Sequence, residues 1–247
     1  AFFLMNIMGT TCILYAVMRY FQSQKERTLQ ELAIEQVRSE KLLLNVLPLS
    51  IANRLKDNDM RIANSHESVT VLFADIAGFT KLTSSISPTQ LVELLSQLFS
   101  RFDQLVEKYG LEKIKTIGDG YMVVGGAPTD VKDHAAVVTE LALDMFDALG
   151  NFNQDSGNKL QMRIGISTGP VVAGVIGTSK FAYDLWGDPV NMASRMEQTA
   201  LTNSIQLSQA THALIENRFD FEMRKQVQVK GKGKVNTYML KPRVIEG

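Results

Sequence analysis

Cysteine is nearly absent. Cys12 is the only one in 247 residues, so no internal disulfide can staple the chain. Histidine is scarce too: His66, His134 and His212 lie far apart in sequence and offer no zinc-ligand spacing, so any metal must be held by oxygen. An excess of one charge sign is also missing. Basic and acidic side chains number 26 each, which removes the positive surplus a nucleic-acid binder needs. No Gly-x-x-x-x-Gly-Lys-Ser/Thr occurs, Gly125-Gly126 being merely glycine-rich, and this argues against a P-loop nucleotidase. Internal repeats and low-complexity segments are lacking. What remains is a chain of 45% apolar and 21% charged residues, the composition and length of one globular domain with an appendage. It opens at Ala1, inside an apolar run, which predicts a fragment or a processed chain.

Residues 1–21 carry no charge before Arg19 and are mostly large and apolar, interrupted by Asn6, Gly9, Thr10 and Thr11. A helix of about 20 residues rises about 30 Å, enough for a bilayer core. Tyr15, Tyr20 and Phe21 beside Arg19 resemble an interfacial belt. The expectation is a transmembrane helix over residues 1–21, the end of a truncated membrane region; a buried core helix and a signal peptide are the other readings. Lys25 and Arg27 favour a cytoplasmic C-terminal side, hence a cell (inner) membrane location with the following domain in the cytoplasm. Residues 22–68 form a second segment, a helical stalk with a transducing linker. Up to Leu47 it is rich in Glu, Gln, Lys, Arg and Leu without Gly or Pro, as helices prefer. Leu29, Leu32, Leu43 and Val46 sit at a/d spacing with Gln36 and Ser39 in the same stripe, which fits a short imperfect coiled coil or a single amphipathic helix. Pro48 ends or bends it, and a domain over residues 69–247 follows.

Within that domain the hydrophobic period alternates. Residues 69–73 read as a buried strand, 88–109 as a helix, and 111–117 and 121–124 as strands around Gly118-Asp119-Gly120. Residues 132–149 form a second helix, and 162–167 and 171–175 read as strands joined at Thr168-Gly169-Pro170. A short helix at 189–197 is capped by Asp188; a helix at 209–217 is mixed with strands to residue 240. The order predicts an α+β, ferredoxin-like βαββαβ sandwich.

Two carboxylates stand out. Asp75 follows the strand Val71-Leu72-Phe73-Ala74, where a side chain faces a cleft, and Asp119 sits at a hairpin tip whose glycines permit close approach. If that hairpin pairs beside the first strand, the aspartates converge as hard oxygen ligands for Mg²⁺ or Mn²⁺. Taken singly, Asp75 also reads as an N-cap and Asp-Gly as an ordinary turn.

Four segments in order carry a resemblance: Phe73-Ala74-Asp75-Ile76-Ala77-Gly78-Phe79-Thr80; Lys113 through Met122; Tyr183 through Glu197; and Val229-Lys230-Gly231-Lys232-Gly233. Together they resemble the class III nucleotidyl cyclases, membrane-anchored bacterial adenylate cyclases among them, over roughly residues 69–241. The resemblance implies that Asp75, Asp119 and the Ile76 carbonyl hold two Mg²⁺ or Mn²⁺ ions per site. It implies that Asn191 orients the ribose, that Arg195 stabilises charge on the α-phosphate, that Lys230 neutralises the β- and γ-phosphates, and that Phe79 and Thr80 line the substrate site. Its base readers match Lys115 and Asp184. Lysine only donates and ionised aspartate only accepts, a pair suited to the acceptor N1 and donor N6 of adenine, so ATP is the implied substrate and cyclic AMP with pyrophosphate the products. Guanylate cyclases resemble it with Glu and Cys or Ser at those places.

The family's sites lie between two catalytic domains, and this chain carries both half-sites, which implies a head-to-tail homodimer also joined through its stalk. Alternatives are a guanylate cyclase and a nonenzymatic membrane-tethered dimerisation or sensor module. A diguanylate-synthesising domain is disfavoured because Gly118-Asp119-Gly120 stands where that family carries Gly-Gly-Asp/Glu-Glu-Phe.

Overall fold

The computed structural model describes residues 2–57, 62–177 and 181–241. The chain divides into two compact units, Ala1–Ala52 and Asn53–Gly247. The first is dominated by one long helix, α1 (Phe2–Leu44), followed by Pro48 and the start of α2 (Leu49–Lys56). The apolar run and the stalk that follows it are therefore one continuous helix over Phe2–Leu44. The transmembrane expectation for residues 1–21 gains no support: among the described residues no helix is long and apolar enough to cross a membrane. Gly9, Thr11 and Arg19 dilute its apolar content, and the helix continues directly into the charged stretch.

The second unit is built on an eight-stranded sheet. In chain order its elements are β1 (Ala63–Ala77), α3 (Phe79–Thr83), α4 (Pro88–Lys108), β2 (Glu112–Ile117), β3 (Gly120–Gly125), α5 (His134–Ser156), β4 (Gln161–Ile176), β5 (Ala182–Trp186), α6 (Asp188–Thr199), β6 (Ser204–Ser208), α7 (Gln209–Ile215), β7 (Phe221–Val229) and β8 (Gly233–Leu240). The sheet runs β2-β3-β1-β4-β6-β8-β7, with β5 also on β4. Its first four strands form the expected βαββαβ core: β1 lies antiparallel between β3 and β4, and β2 pairs antiparallel with β3. Beyond it, β6 joins β4 in parallel and the β7–β8 hairpin extends the sheet.

Alternation along the strands separates two faces. Leu72, Ala74 and Ile76 of β1 and Ile164 and Ile166 of β4 join Leu98, Phe102 and Val106 of α4 and Leu141 and Met145 of α5 in one buried cluster. The intervening residues, including Asp75 and its partner Arg163, face the other way. There α6 lies directly on β4: a Cβ at Gly165 would stand 2.0 Å from the Glu197 amide nitrogen and 2.3 Å from the Ala193 carbonyl oxygen. Only glycine lets the helix come so close.

Local chemistry explains the element ends. Ser87 and Gln90 make a reciprocal capping box at the start of α4, with Pro88 at its first position. The next turn ends at Gly110, with a φ of 62°. β1 begins at Ala63, inside the stretch expected to be linker, rather than at Val69, and three further details depart from expectation. β4 is one strand through Gly169-Pro170, β5 is an additional strand, and α6 has Gly187 rather than Asp188 at its N-cap, with Asp188 in its first turn.

Candidate active site

Asp75 stands near the end of β1, on the α6 face. Asp119 occupies the tip between β2 and β3, where Ile117 pairs with Gly120 and Gly118 adopts a φ of 63°. Because β3 lies beside β1, with Ala74 opposite Tyr121, the tip is delivered to Asp75. The Asp119 carboxyl thereby lies within electrostatic reach of Asp75 and of the Ile76 main chain. Burial, then the neighbouring Asp75 carboxyl and its charge, push the Asp119 carboxyl up to about 6, against the pull of the main chain at Asp119 and Ile76.

Two carboxylates held so close repel when both ionise, and a divalent cation between them relieves that repulsion, so the oxygen donor set fits Mg²⁺ or Mn²⁺. Among the described residues no group of three or more His, Cys, Asp or Glu is arranged to hold a metal. The chain thus offers these two carboxylates and main-chain oxygens such as that of Ile76, which leaves coordination positions for a substrate's own oxygens.

A second cluster contains the cations. Asn191 and Arg195 lie one turn apart on α6, and both line a cavity of about 230 Å³ together with Lys230, Lys232, Asp188 and Met192. Within it Arg195 donates through Nη1 to Gln198 Oε1 at 2.7 Å. Lys232 is tied to Asp188 at 2.7 Å, whereas Lys230 has no ion pair among the described residues. An anion entering this cavity meets one positioned arginine and one uncommitted lysine.

A third cluster pairs Lys115 with Asp184, Nζ to Oδ2 at 2.5 Å, and the Leu185 amide donates to the other oxygen of Asp184. Lys115 is on β2 and Asp184 on β5, strands that are well separated in the sheet order. The sheet must curl to bring them together, and the irregularity in β1 between His66 and Val69 is a place where it can bend. A donor and an acceptor thus stand side by side, both partly exposed. Phe79 and Thr80 begin α3; Phe79 packs against the core cluster, and Thr80 is exposed. No hydrogen bond or ion pair among the described residues joins the carboxylate cluster to Lys115, Asp184 or Arg195.

Residues 62–242 match the family described as adenylate and guanylate cyclase catalytic domain. The chain belongs to that family. This cyclase domain is 46% identical over 207 residues to an adenylate cyclase of Mycobacterium tuberculosis, covering 83% of this chain and 47% of the relative. It is 43% identical over 211 residues to the guanylate cyclase soluble subunit beta-2 of Rattus norvegicus, covering 85% and 31%. The chain therefore spans about half or less of the length of these curated relatives. Among solved structures, the catalytic core of a rhodopsin-guanylyl cyclase with converted specificity, in complex with ATPαS, superposes with a TM-score of 0.70 at 40% identity, over 73% of this chain and 98% of that one.

Two residues at the carboxylate cluster of the cyclase domain were invisible to sequence reasoning. Arg163 on β4 donates through Nη2 to Asp75 Oδ2 at 2.7 Å and stands 3.1 Å from Glu197 Oε1. Glu197 is a buried third carboxylate. Its carboxyl is pushed up to about 7, by burial first and then by the Asp75 charge, opposed by Arg163. The available signal was an arginine inside the apolar strand Met162-Arg163-Ile164-Gly165-Ile166, since an unpaired charge in a buried strand is costly.

Proposed function

We propose that the chain is an adenylate cyclase that converts ATP to 3′,5′-cyclic AMP and pyrophosphate. The observation that carries this reading is the Lys115–Asp184 pair. Its ammonium donates to adenine N1 and its carboxylate accepts from N6; guanine presents a donor and an acceptor at the reverse positions, so its base edge would face two mismatched polar groups. The same chemistry disfavours the guanylate cyclase alternative.

The remaining residues divide the work of phosphoryl transfer, which is mostly positioning and charge stabilisation. Asp75, Asp119 and the Ile76 carbonyl would hold two Mg²⁺ or Mn²⁺ ions, whose chemistry when bound is to acidify the ribose 3′-hydroxyl and neutralise the triphosphate. Asn191 orients the ribose while the 3′-oxygen attacks the α-phosphorus in line. Arg195 meets the charge that develops on the α-phosphate, Lys230 holds the departing pyrophosphate, and Phe79 and Thr80 shape the loop beside it. No protein nucleophile takes part.

The separation of the carboxylates from the base-reading and cationic residues supports a head-to-tail homodimer, each site taking Asp75 and Asp119 from one copy and Lys115, Asp184, Asn191 and Arg195 from the other. Exposed Leu29 and Leu32 on α1 are available for a parallel contact in the stalk. Membrane attachment belongs to the proposal as well, on the ground that Phe3, Ile13, Leu14 and Val17 are exposed along one end of α1, and membrane fractionation of the full chain tests it. The decisive test of the assembly mixes Asp75→Ala with Arg195→Ala chains. Each alone is expected to be inactive and the mixture to recover turnover through one intact composite site. A mixture as inactive as its components would refute the shared site.

A further inference from the structure

Asp75 is not free to turn. One of its oxygens is held by Arg163 Nη2 at 2.7 Å, and the same nitrogen lies 3.1 Å from Glu197 Oε1. Arg163 is paired with Asp75 across β1 and β4, and Glu197 rides on α6, whose backbone is pressed onto β4 at Gly165. The guanidinium is thus fixed from two elements. Arg163 Nε and Glu197 Oε1 are both buried without a hydrogen bond, so the 3.1 Å contact of Nη2 with Glu197 Oε1 is an ion pair at close range rather than an aligned bond. Burying two such atoms is costly unless the arrangement serves something. A salt bridge kept only for stability would match the fork of the arginine to a carboxylate. Here a single nitrogen of the fork, Nη2, is shared between two carboxylates.

We propose that Arg163, braced by Glu197, is a positioning residue for the cation site: it pins one oxygen of Asp75 and thereby turns the other toward Asp119. The inference rests on the reading of Asp75 and Asp119 as metal ligands. Partners behind a ligand fix its orientation, and their loss costs about 10–100-fold in metal affinity. Three ideas then give different results for Arg163→Gln. Positioning gives weaker cation binding. Charge alone gives tighter binding, because a positive group beside two carboxylates has been removed. A merely structural role gives a lower melting temperature and unchanged binding per folded molecule.

The experiment titrates the full chain with Mn²⁺, following loss of the free-ion signal by electron paramagnetic resonance, with circular dichroism and thermal unfolding on the same samples. Arg163→Gln is expected to bind Mn²⁺ about 10–100-fold more weakly than wild type while remaining folded. Equal or tighter binding would overturn the proposal. If Arg163→Gln does not fold, Arg163→Lys is read instead. It keeps the charge but replaces the planar guanidinium with a shorter, freely rotating ammonium that cannot fix the Asp75 carboxyl in one orientation, so weaker binding supports positioning and wild-type affinity overturns it. Failure of the wild type itself to bind Mn²⁺ would overturn this inference along with the metal-site reading, whereas wild-type binding matched by the variants overturns this inference alone.

Discussion

Gly165→Ala tests how closely α6 must lie on β4. The added Cβ would stand 2.0 Å from the Glu197 amide nitrogen, 2.3 Å from the Ala193 carbonyl oxygen and 2.7 Å from Glu197 Cα. All three are main-chain atoms, so no rotamer change relieves the clash. Ordinary contact begins near 3.4 Å, which requires the helix to retreat by roughly 1.4 Å. Overpacking of this kind costs about 1–3 kcal/mol, and about 2 kcal/mol lowers the melting temperature of a domain this size by about 4–8 °C. The larger effect falls on turnover. Asn191 and Arg195 ride on the same helix, and misplacement by about 1 Å can cost about 100-fold in rate. Gly150→Ala is the control: its Cβ meets nothing within 4 Å on α5, and it should raise stability by about 0.5–1 kcal/mol at unchanged rate. Differential scanning fluorimetry and initial rates of cyclic nucleotide formation read both variants. A Gly165→Ala protein with wild-type melting and wild-type turnover would refute the argument that this contact places the cationic cluster.

Other outcomes follow from named groups. Lys230→Ala should lower kcat/KM for the nucleotide by roughly tenfold or more, while Lys232→Ala, whose ammonium is already committed to Asp188, should change it far less; equal losses would contradict the assignment. Mn²⁺ binding should weaken as pH falls through about 6, where Asp119 takes up a proton that the cation must displace, and a titration flat between pH 5 and 8 would contradict the paired-carboxylate site. Glu112 has its carboxyl pushed up to about 7 by burial. The folded state therefore holds this proton more tightly than the unfolded chain, and stability falls as pH rises from about 4.5 to about 7. Glu112→Gln removes that penalty and should stabilise by about 1–2 kcal/mol at pH 8, discounted for solvent screening, with no gain near pH 4. Thermal melts at both values check the sign.

The βαββαβ order was legible because each element carries its own period and punctuation: an apolar run ending at Asp75, helical apolar spacing from Pro88, and the turn signal Gly118-Asp119-Gly120 between two short strands. β4 was read as two strands because Gly169-Pro170 is a strong turn signal. The strand nevertheless continues, since its β6 partner ends at Ile166, its β5 partner begins at Val172, and Pro170 has no opposite residue on β1. The missing proline N–H is thus not required there. β5 escaped because five residues directly ahead of a helix carry little periodic signal. The placing of Asp75 at the end of the first apolar run was readable from the sequence, although β1 continues past it to Ala77; its bond to Arg163 depends on register with a strand 88 residues away, and the third carboxylate on α6 depends on a close approach at Gly165 that no local pattern announces. The long α1 was read as two segments because its composition changes at Arg19, although helix propensity runs unbroken across the change.

The central claim is the choice of base. The purified chain is incubated with equal concentrations of ATP and GTP and excess Mn²⁺, alongside Asp75→Ala and the Lys115→Glu, Asp184→Cys double variant, and the cyclic products are separated by chromatography. The account expects cyclic AMP as the dominant product of the wild type, none from Asp75→Ala, and a shift toward cyclic GMP in the double variant. Predominant cyclic GMP from the wild type would contradict the reading of Lys115 and Asp184, and no cyclic nucleotide with either substrate would contradict the enzyme assignment for this chain.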